Sequence, residues 1–331
     1  MSTIKWGILS TARHAANTVI PAIHAARNAQ AYAVASRDAG RARQFAEETG
    51  LSASYGSYED LLADPQVDAV YIPLPNNLHK EWSIKAAQAG KHVLCEKPLA
   101  LNAAEAQEMV DAFQAAGRKL AEAFQWRHHA QGERVYQMVR QGEIGELRLI
   151  DAGFSFPLDR PDDIRWDPAL GGGSLYDVGC YPISLARYIT RAEPLSVTAH
   201  ARWAASGVDD LVVATLEFPG GVLAHINCSF ALPLRRYFEL VGSEGTLYVN
   251  RAYNPTGNSG EEVLRYGPDR EVVQQIGLES ANSYTLMIED FSGSVLQDTE
   301  LLFPPEDAVF NMRVIDAIFE AARTGATVRL G

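Results

Sequence analysis

Two short stretches of this 331-residue chain carry side chains able to move a proton or steady an alkoxide. Glu96-Lys97-Pro98 closes the apolar run His92-Val93-Leu94-Cys95, which reads as a buried strand. A charged pair at the carboxyl end of such a strand sits where an open α/β sheet places its ligand crevice. Desolvating an ammonium is costly unless it is paired, so either Glu96 neutralises Lys97 or Lys97 faces a substrate. The second stretch begins Gly171-Gly172-Gly173 and runs to Tyr181. Three glycines feed a helix on which Asp177 and Tyr181, four residues apart, share a face. Pro182 cannot occupy a regular helix interior, so distortion is expected there. The plainer readings are a capping box between Ser174 and Asp177, and a core position for Tyr181.

A third segment has the makings of a phosphate loop. Trp6-Gly7-Ile8-Leu9-Ser10-Thr11-Ala12-Arg13 follows the first strand signal and opens the first helix signal. That is the position of a dinucleotide fingerprint, although Leu9 stands where the second glycine belongs. Gly7 and Ala12 fit the first and third positions, and Ser10, Thr11 and Arg13 offer polar groups at a helix N-terminus. The next strand ends in Ser36-Arg37, with Arg41 on the following helix, where cofactors without a 2′-phosphate usually meet an acid. A hydroxyl and forked guanidinium groups suit a 2′-phosphate, tempered by Asp38 next door. Pro73, Leu74, Asn76, Asn77 and His79 follow a later strand, within reach of the nicotinamide end of such a cofactor.

These residues need a scaffold. Up to about residue 123 the chain alternates strand and helix signals, the pattern of a parallel sheet covered on both faces. After a helix over 130–141, long strands follow over 147–156, 196–203, 211–218, 222–231, 236–241 and 246–249. Gly220-Gly221 and Ser243-Glu244-Gly245 mark hairpin turns between them. The pattern predicts a dinucleotide-binding domain over 1–123 and a second domain over 124–331. The latter has a large open, mostly antiparallel sheet half-covered by a helix over 175–188. A last amphipathic helix, about 305–323, is placed so that it could return to the first domain.

Composition narrows the class. Hydrophobic content of 47% and charged content of 21% are those of an ordinary globular protein. A net charge of -12 argues against nucleic acid or an anionic membrane as partner. No apolar run approaches a membrane span, and the amino terminus lacks a signal-peptide pattern, so a cytoplasmic location is expected. Cys95, Cys180 and Cys228 are widely spaced and read as reduced thiols. No cluster has metal-ligand spacing and no Gly-x-Ser-x-Gly elbow is present, so neither a metal site nor a serine hydrolase is expected.

Taken in order, Gly7 and Ala12, Pro73-Leu74-Pro75-Asn76-Asn77-Leu78-His79, Glu96-Lys97-Pro98, and Gly171-Gly172-Gly173 with Asp177 and Tyr181 resemble the Gfo/Idh/MocA oxidoreductases. Many members carry histidine where Tyr181 stands. The tyrosine resembles the branch of glucose–fructose oxidoreductase, dimeric dihydrodiol dehydrogenase, NADP-dependent xylose dehydrogenase and sugar 3-ketoreductases. The resemblance implies an N-terminal Rossmann domain, a C-terminal α+β domain, and homo-oligomers, dimers or tetramers, packed through the C-terminal sheet. It implies hydride transfer between NADP (NAD being the alternative) and a secondary alcohol, ketone or hemiacetal carbon of a sugar-like substrate. Lys97 and Tyr181 would then form the acid/base pair, with Asp177 orienting the substrate hydroxyl or Lys97. A tyrosine near pKa ~10 is a poor base unless an ammonium favours its phenolate. Glu96, Gln125, Arg165 and Trp166 are expected near the cofactor, and Arg127 and Tyr284 near the substrate. Two alternatives stay open: a trans-dihydrodiol dehydrogenase activity, and a noncatalytic NADP-binding sensor on the same scaffold.

Overall fold

The computed structural model describes residues 2–253, 262–279 and 281–331. The chain divides into two compact units, Met1–His128 with Tyr284–Val309, and His129–Ser283 with Phe310–Gly331. The sequence puts the first boundary at 123/124; the segment that rejoins the first unit begins at Tyr284.

In the first unit β1 (Ile4–Leu9), α1 (Ile20–Ala25), β2 (Ala29–Ala35), α2 (Ala39–Thr49), β3 (Ala53–Tyr55), α3 (Tyr58–Ala63) and β4 (Ala69–Ile72) alternate. They are followed by α4 (His79–Gln88), β5 (His92–Cys95), α5 (Ala103–Ala116) and β6 (Leu120–Glu122). The strands form one parallel sheet in the order β3-β2-β1-β4-β5-β6. Every residue of β4 is buried, as a strand covered on both faces requires. Asp38, Ser57 and Asn102 cap α2, α3 and α5 by accepting a backbone N–H three residues on. All these strands run the same way, so the segments following β1, β2, β4 and β5 gather on one edge, with the strand order reversing between β1 and β4.

The second unit contains α6 (Ala130–Arg140), β7 (Leu147–Ser155), α7 (Cys180–Thr190), β8 (Ser196–Trp203), β9 (Asp209–Glu217), β10 (Leu223–Ser229), β11 (Arg235–Gly242) and β12 (Thr246–Val249). Two further strands, β13 (Glu262–Tyr266) and β14 (Val272–Gly277), extend its nine-stranded sheet at one end, and β15 (Val328–Arg329) ends the other. The order is β14-β13-β12-β11-β7-β10-β9-β8-β15, antiparallel throughout except where β10 lies parallel to β7. Gly220 and Gly221 turn β9 into β10 with φ of 78° and 81°, conformations a side chain would oppose. The helix on this sheet sits close, since a Cβ on Gly179 would meet the Cys228 sulfur of β10 at 2.8 Å.

Two helices lie near the carboxyl end, α8 (Ser283–Gln297) and α9 (Glu306–Thr324). The sequence reading passed over α8, whose β-branched residues, aromatics and Gly293 make a weak helix former. Its core face is nevertheless periodic: Tyr284, Met287, Ile288 and Phe291 join the hydrophobic core of the first unit. Trp6 donates its indole N–H to Ser292, and Arg27 forms a forked pair with Glu289. Helix α9 belongs to the second unit from Phe310 onward.

Candidate active site

In the first unit the loop after β1 departs from the sequence reading. Leu9 lies inside β1, wholly buried, so it is no part of a phosphate loop. The conformational freedom usually supplied by glycine falls on Ser10, whose φ is 137°. Its N–H still donates to the Ala35 carbonyl, extending the ladder by one residue. Gly7 serves packing, because a Cβ there would meet Leu61 at 2.7 Å. Beyond Ser10, Thr11 and Ala12 are half-buried and Arg13 is exposed at the start of a π-helical turn, Ala15–Val19. Pro21, which has no N–H to donate, follows that turn in α1.

At the end of β2, Ser36 is buried and its hydroxyl accepts the Asp38 N–H at 3.3 Å. Asp38 is spent as the cap of α2, accepting the Arg41 N–H at 2.9 Å. Arg37 and Arg41 are exposed, and both cations bear on Tyr58. Burial is the larger influence on that phenol and raises its pKa. The edge after β2 thus presents guanidinium groups, while its one carboxylate is turned to a backbone amide.

Beyond β4 and β5 the key groups interlock. Tyr71 donates to Glu96 Oε1 at 2.6 Å, and His14 Nε2 lies 3.7 Å from the same oxygen. Burial, reinforced by Glu96, pushes the Tyr71 phenol well up, so it remains a donor. The Lys97 N–H reaches Glu96 Oε2 at 3.3 Å, the Lys97–Pro98 peptide is cis, and Lys97 is half-buried. Pro73, Asn76 and Asn77 line the neighbouring turn, half-buried, with Leu74 buried beside them.

His79 is a correction. It is fully buried, with ring nitrogens 2.9 Å from the Pro98 and Leu74 carbonyls. No ring nitrogen is left for a cofactor; His79 is a strut tying the turn after β4 to the turn that carries Lys97. Burial lowers its pKa against the pull of those carbonyls, which a neutral ring can satisfy only one at a time.

Arg127 and Tyr284, expected near the substrate, both belong to the first unit. Arg127 is buried, paired with Asp307 at 2.6 Å and stacked over Phe124 and Phe303. Gln125, two residues earlier, is buried as well. Tyr284 belongs to the core of the first unit, edge-on to His14 at 5.6 Å.

In the second unit the tri-glycine folds against the chain ahead of it. Gly172 and Gly173 donate their N–H groups to the carbonyls of Asp167 and Arg165, and a Cβ on Gly172 would meet the Arg165 carbonyl oxygen at 2.4 Å. The helix then opens as a π-helical turn, Leu175–Gly179, before α7, which places Pro182 in the first turn of α7. The Ser174–Asp177 capping box does not form. Instead Asp209, which the sequence reading overlooked, accepts both the Ser174 hydroxyl and the Leu175 N–H at 2.7 Å. Only its place at the start of a strand, beside Asp210, marked it as more than a surface charge.

Asp177 is thereby released from capping and accepts Nε of Arg165 at 2.7 Å, while the same guanidinium reaches Asp163 at 3.1 Å. Asp177, ahead of the other influences, raises the Arg165 pKa further. Arg165 is therefore held by two carboxylates. Trp166 is half-buried and edge-on to Phe230 at 5.4 Å. Tyr181, 6% exposed, packs against Phe154 at 5.4 Å and Tyr253 at 5.6 Å. A phenol and a carboxylate on successive turns, the carboxylate steadied by arginine, can exchange a proton with a hydroxyl and orient it.

Comparison with known proteins bears directly on this arrangement. The pattern of the oxidoreductase family with an NAD-binding Rossmann fold matches residues 4–124, and the GFO/IDH/MocA C-terminal domain matches residues 133–248. This chain belongs to the Gfo/Idh/MocA oxidoreductase family. Among relatives of this family, a D-xylose 1-dehydrogenase (NADP(+)) from Haloferax volcanii is 42% identical over 98% of this chain and 99% of its own. A trans-1,2-dihydrobenzene-1,2-diol dehydrogenase from Mus musculus is 36% identical over 76% of each. The crystal structure of a 3-ketoreductase from Actinomadura kijaniata in complex with NADP and TDP-benzene superposes with a TM-score of 0.92. It is 32% identical and covers 97% of this chain and 98% of that one. Among the described residues, no helix is long and apolar enough to cross a membrane, and no group of three or more His, Cys, Asp or Glu side chains could hold a metal.

Proposed function

We propose that this oxidoreductase moves hydride between NADP(H) and a secondary alcohol or ketone, or a hemiacetal carbon, of a sugar or sugar-like substrate. The observation that carries the reading is the helix bearing Asp177 and Tyr181. Its start is pinned by Asp209, and its carboxylate is locked by Arg165. Bound nicotinamide would supply the hydride acceptor or donor. Tyr181 takes the hydroxyl proton on oxidation and returns it on reduction. Lys97 favours the phenolate and steadies the developing alkoxide. Asp177 orients the reacting hydroxyl.

The first unit fits the phosphorylated cofactor. Arg37 and Arg41 would hold the 2′-phosphate with Ser36 beside them, since Asp38 is engaged by the α2 backbone. Ser10, Thr11, Ala12 and Arg13 would meet the pyrophosphate at the helix start. Asn76, Asn77, Glu96 and Lys97 would surround the nicotinamide ribose, with Pro73 and Leu74 as the apolar floor. The NADP-dependent xylose dehydrogenase and the 3-ketoreductase solved with NADP support this choice.

A specific observation favours a second substrate class, trans-dihydrodiols. Phe154 and Tyr253 pack against the Tyr181 ring, while Asp163 is occupied by Arg160 and Arg165 and is less available to sugar hydroxyls. The deciding test is NADP⁺ and NAD⁺ reduction against aldoses, polyols and trans-dihydrodiols. Turnover with aldoses supports the leading reading. Turnover with diols alone moves it to the second class, and tight NADPH binding without hydride exchange would reduce the protein to a sensor.

The same reading takes a second copy of this chain as partner, through the sheet face opposite α7. Leu149 and Leu223, 37% and 44% exposed, are register partners on β7 and β10. Paired apolar side chains in the middle of a wide sheet are what a self-associating face presents.

A further inference from the structure

Tyr253 is the one aromatic residue among the described residues with a left-handed backbone, at φ 68°. For a bulky side chain this region is strained, and glycine or asparagine would occupy it more easily. Such a conformation persists only where the surroundings over-determine it, so the ring must be wanted where it is. It is 1% exposed and stacks parallel on Phe154, with interplanar angle 10° and centroids 5.8 Å apart. It tilts against Tyr181 at 5.6 Å and against Phe238 at 6.5 Å. Phe154 meets Tyr181 from its own side at 5.4 Å. The Tyr181 ring thus leans against a pair of rings that are stacked on each other, the three centroids lying 5.4, 5.6 and 5.8 Å apart.

The hydroxyl of Tyr253 reaches a strand carbonyl. It donates to the Tyr237 carbonyl at 3.4 Å, at the long end of hydrogen-bond range. The backbone is fixed one residue earlier, where the Ala252 N–H donates to the Arg236 carbonyl at 3.0 Å. What distinguishes Tyr253 is therefore its ring, set by a strained backbone on one side and by Phe154 on the other.

We propose that Tyr253 is a positioning residue for the reaction: with Phe154 it forms the stacked pair that braces the Tyr181 ring in the orientation from which the phenol exchanges its proton. The inference rests on Tyr181 being the acid/base proposed above, and the test separates the two. Tyr253→Leu removes one ring of the brace. It is expected to lower kcat roughly ten- to hundredfold with KM little changed, because a misplaced catalytic group loses rate at small displacement. It is also expected to move the acid limb of the kcat–pH profile toward the ordinary phenol range near ~10. Tyr253→Phe keeps the ring and is expected to stay within about twofold of the parent. In a Tyr181→Phe background, Tyr253→Leu is expected to cost nothing further, since its action runs through Tyr181. If Tyr253→Leu cannot be isolated folded, Phe154→Leu removes the other ring of the brace and is expected to show the same kcat loss and pH shift. A Tyr253→Leu protein with lowered Tm but unchanged kcat and pH profile would overturn the proposal. So would an equal loss of residual turnover in the Tyr181→Phe background. Full turnover by Tyr181→Phe alone would instead overturn the acid/base reading, and the brace with it.

Discussion

Nε of Arg165 donates to Oδ2 of Asp177 at 2.7 Å, joining the loop before the tri-glycine to the helix that carries Tyr181. The ion pair is partly buried, so removing one partner strands the other charge. Arg165→Ala is expected to lower kcat/KM about ten- to hundredfold while NADPH affinity holds. Arg165→Lys is expected to recover only part, because an ammonium cannot make the forked contact to Asp163 and Asp177. Steady-state kinetics alongside NADPH titration checks this, and a selective loss of NADPH affinity would show that Arg165 works on the cofactor.

The edge after β2 gives a prediction on cofactor choice. With Asp38 committed to the α2 amide, Arg37 and Arg41 are the groups left to grip a 2′-phosphate. The double variant Arg37→Ala/Arg41→Ala is expected to weaken NADPH binding by about one to two powers of ten and to leave NADH nearly unchanged. Fluorescence titration of both cofactors at two salt concentrations reads it, and the NADPH preference is expected to shrink with salt.

Much of this was legible in the sequence, and the exceptions share a cause. The parallel half showed in its alternation of strands and helices, and Gly220-Gly221 marked a hairpin without help from tertiary structure. Leu9 misled because a fingerprint aligned by spacing cannot show that β1 runs one residue further and passes the unusual backbone to Ser10. His79, placed near the cofactor by its neighbourhood in sequence, is turned by burial and two carbonyl partners into a structural tie. Asp209 was invisible as a cap because it lies 34 residues beyond the helix start it serves. Helix α8 carried an i, i+3, i+4, i+7 apolar signal that its poor propensity masked.

Acid stability follows from two half-buried histidines. Burial lowers His92 to about 4 and His128 to about 3, well under their ordinary value. A histidine held neutral in the folded state binds its proton more readily when unfolded. Its stabilising contribution is therefore complete above about pH 6.5 and declines as pH falls toward 4 and then 3, by up to ~1.4 kcal/mol per pH unit for each group. Thermal unfolding between pH 7 and pH 4 is expected to show this decline. His128→Phe, with one titrating group fewer, is expected to show a shallower one.

The open sheet face offers a test of self-association. Leu149→Glu with Leu223→Glu places like charges side by side on adjacent strands. Light scattering is expected to show an oligomer for the parent chain and a smaller species for the variant, with NADPH binding retained. An unchanged mass would place the interface elsewhere.

The central claim is that Tyr181 exchanges the proton while hydride moves. The most direct measurement is single-turnover NADPH formation by Tyr181→Phe, using the best substrate found in the panel of aldoses, polyols and trans-dihydrodiols. The account predicts a fall of about 10²- to 10⁴-fold in that rate with NADPH affinity preserved. A Tyr181→Phe protein that turns over at the parent rate would contradict it.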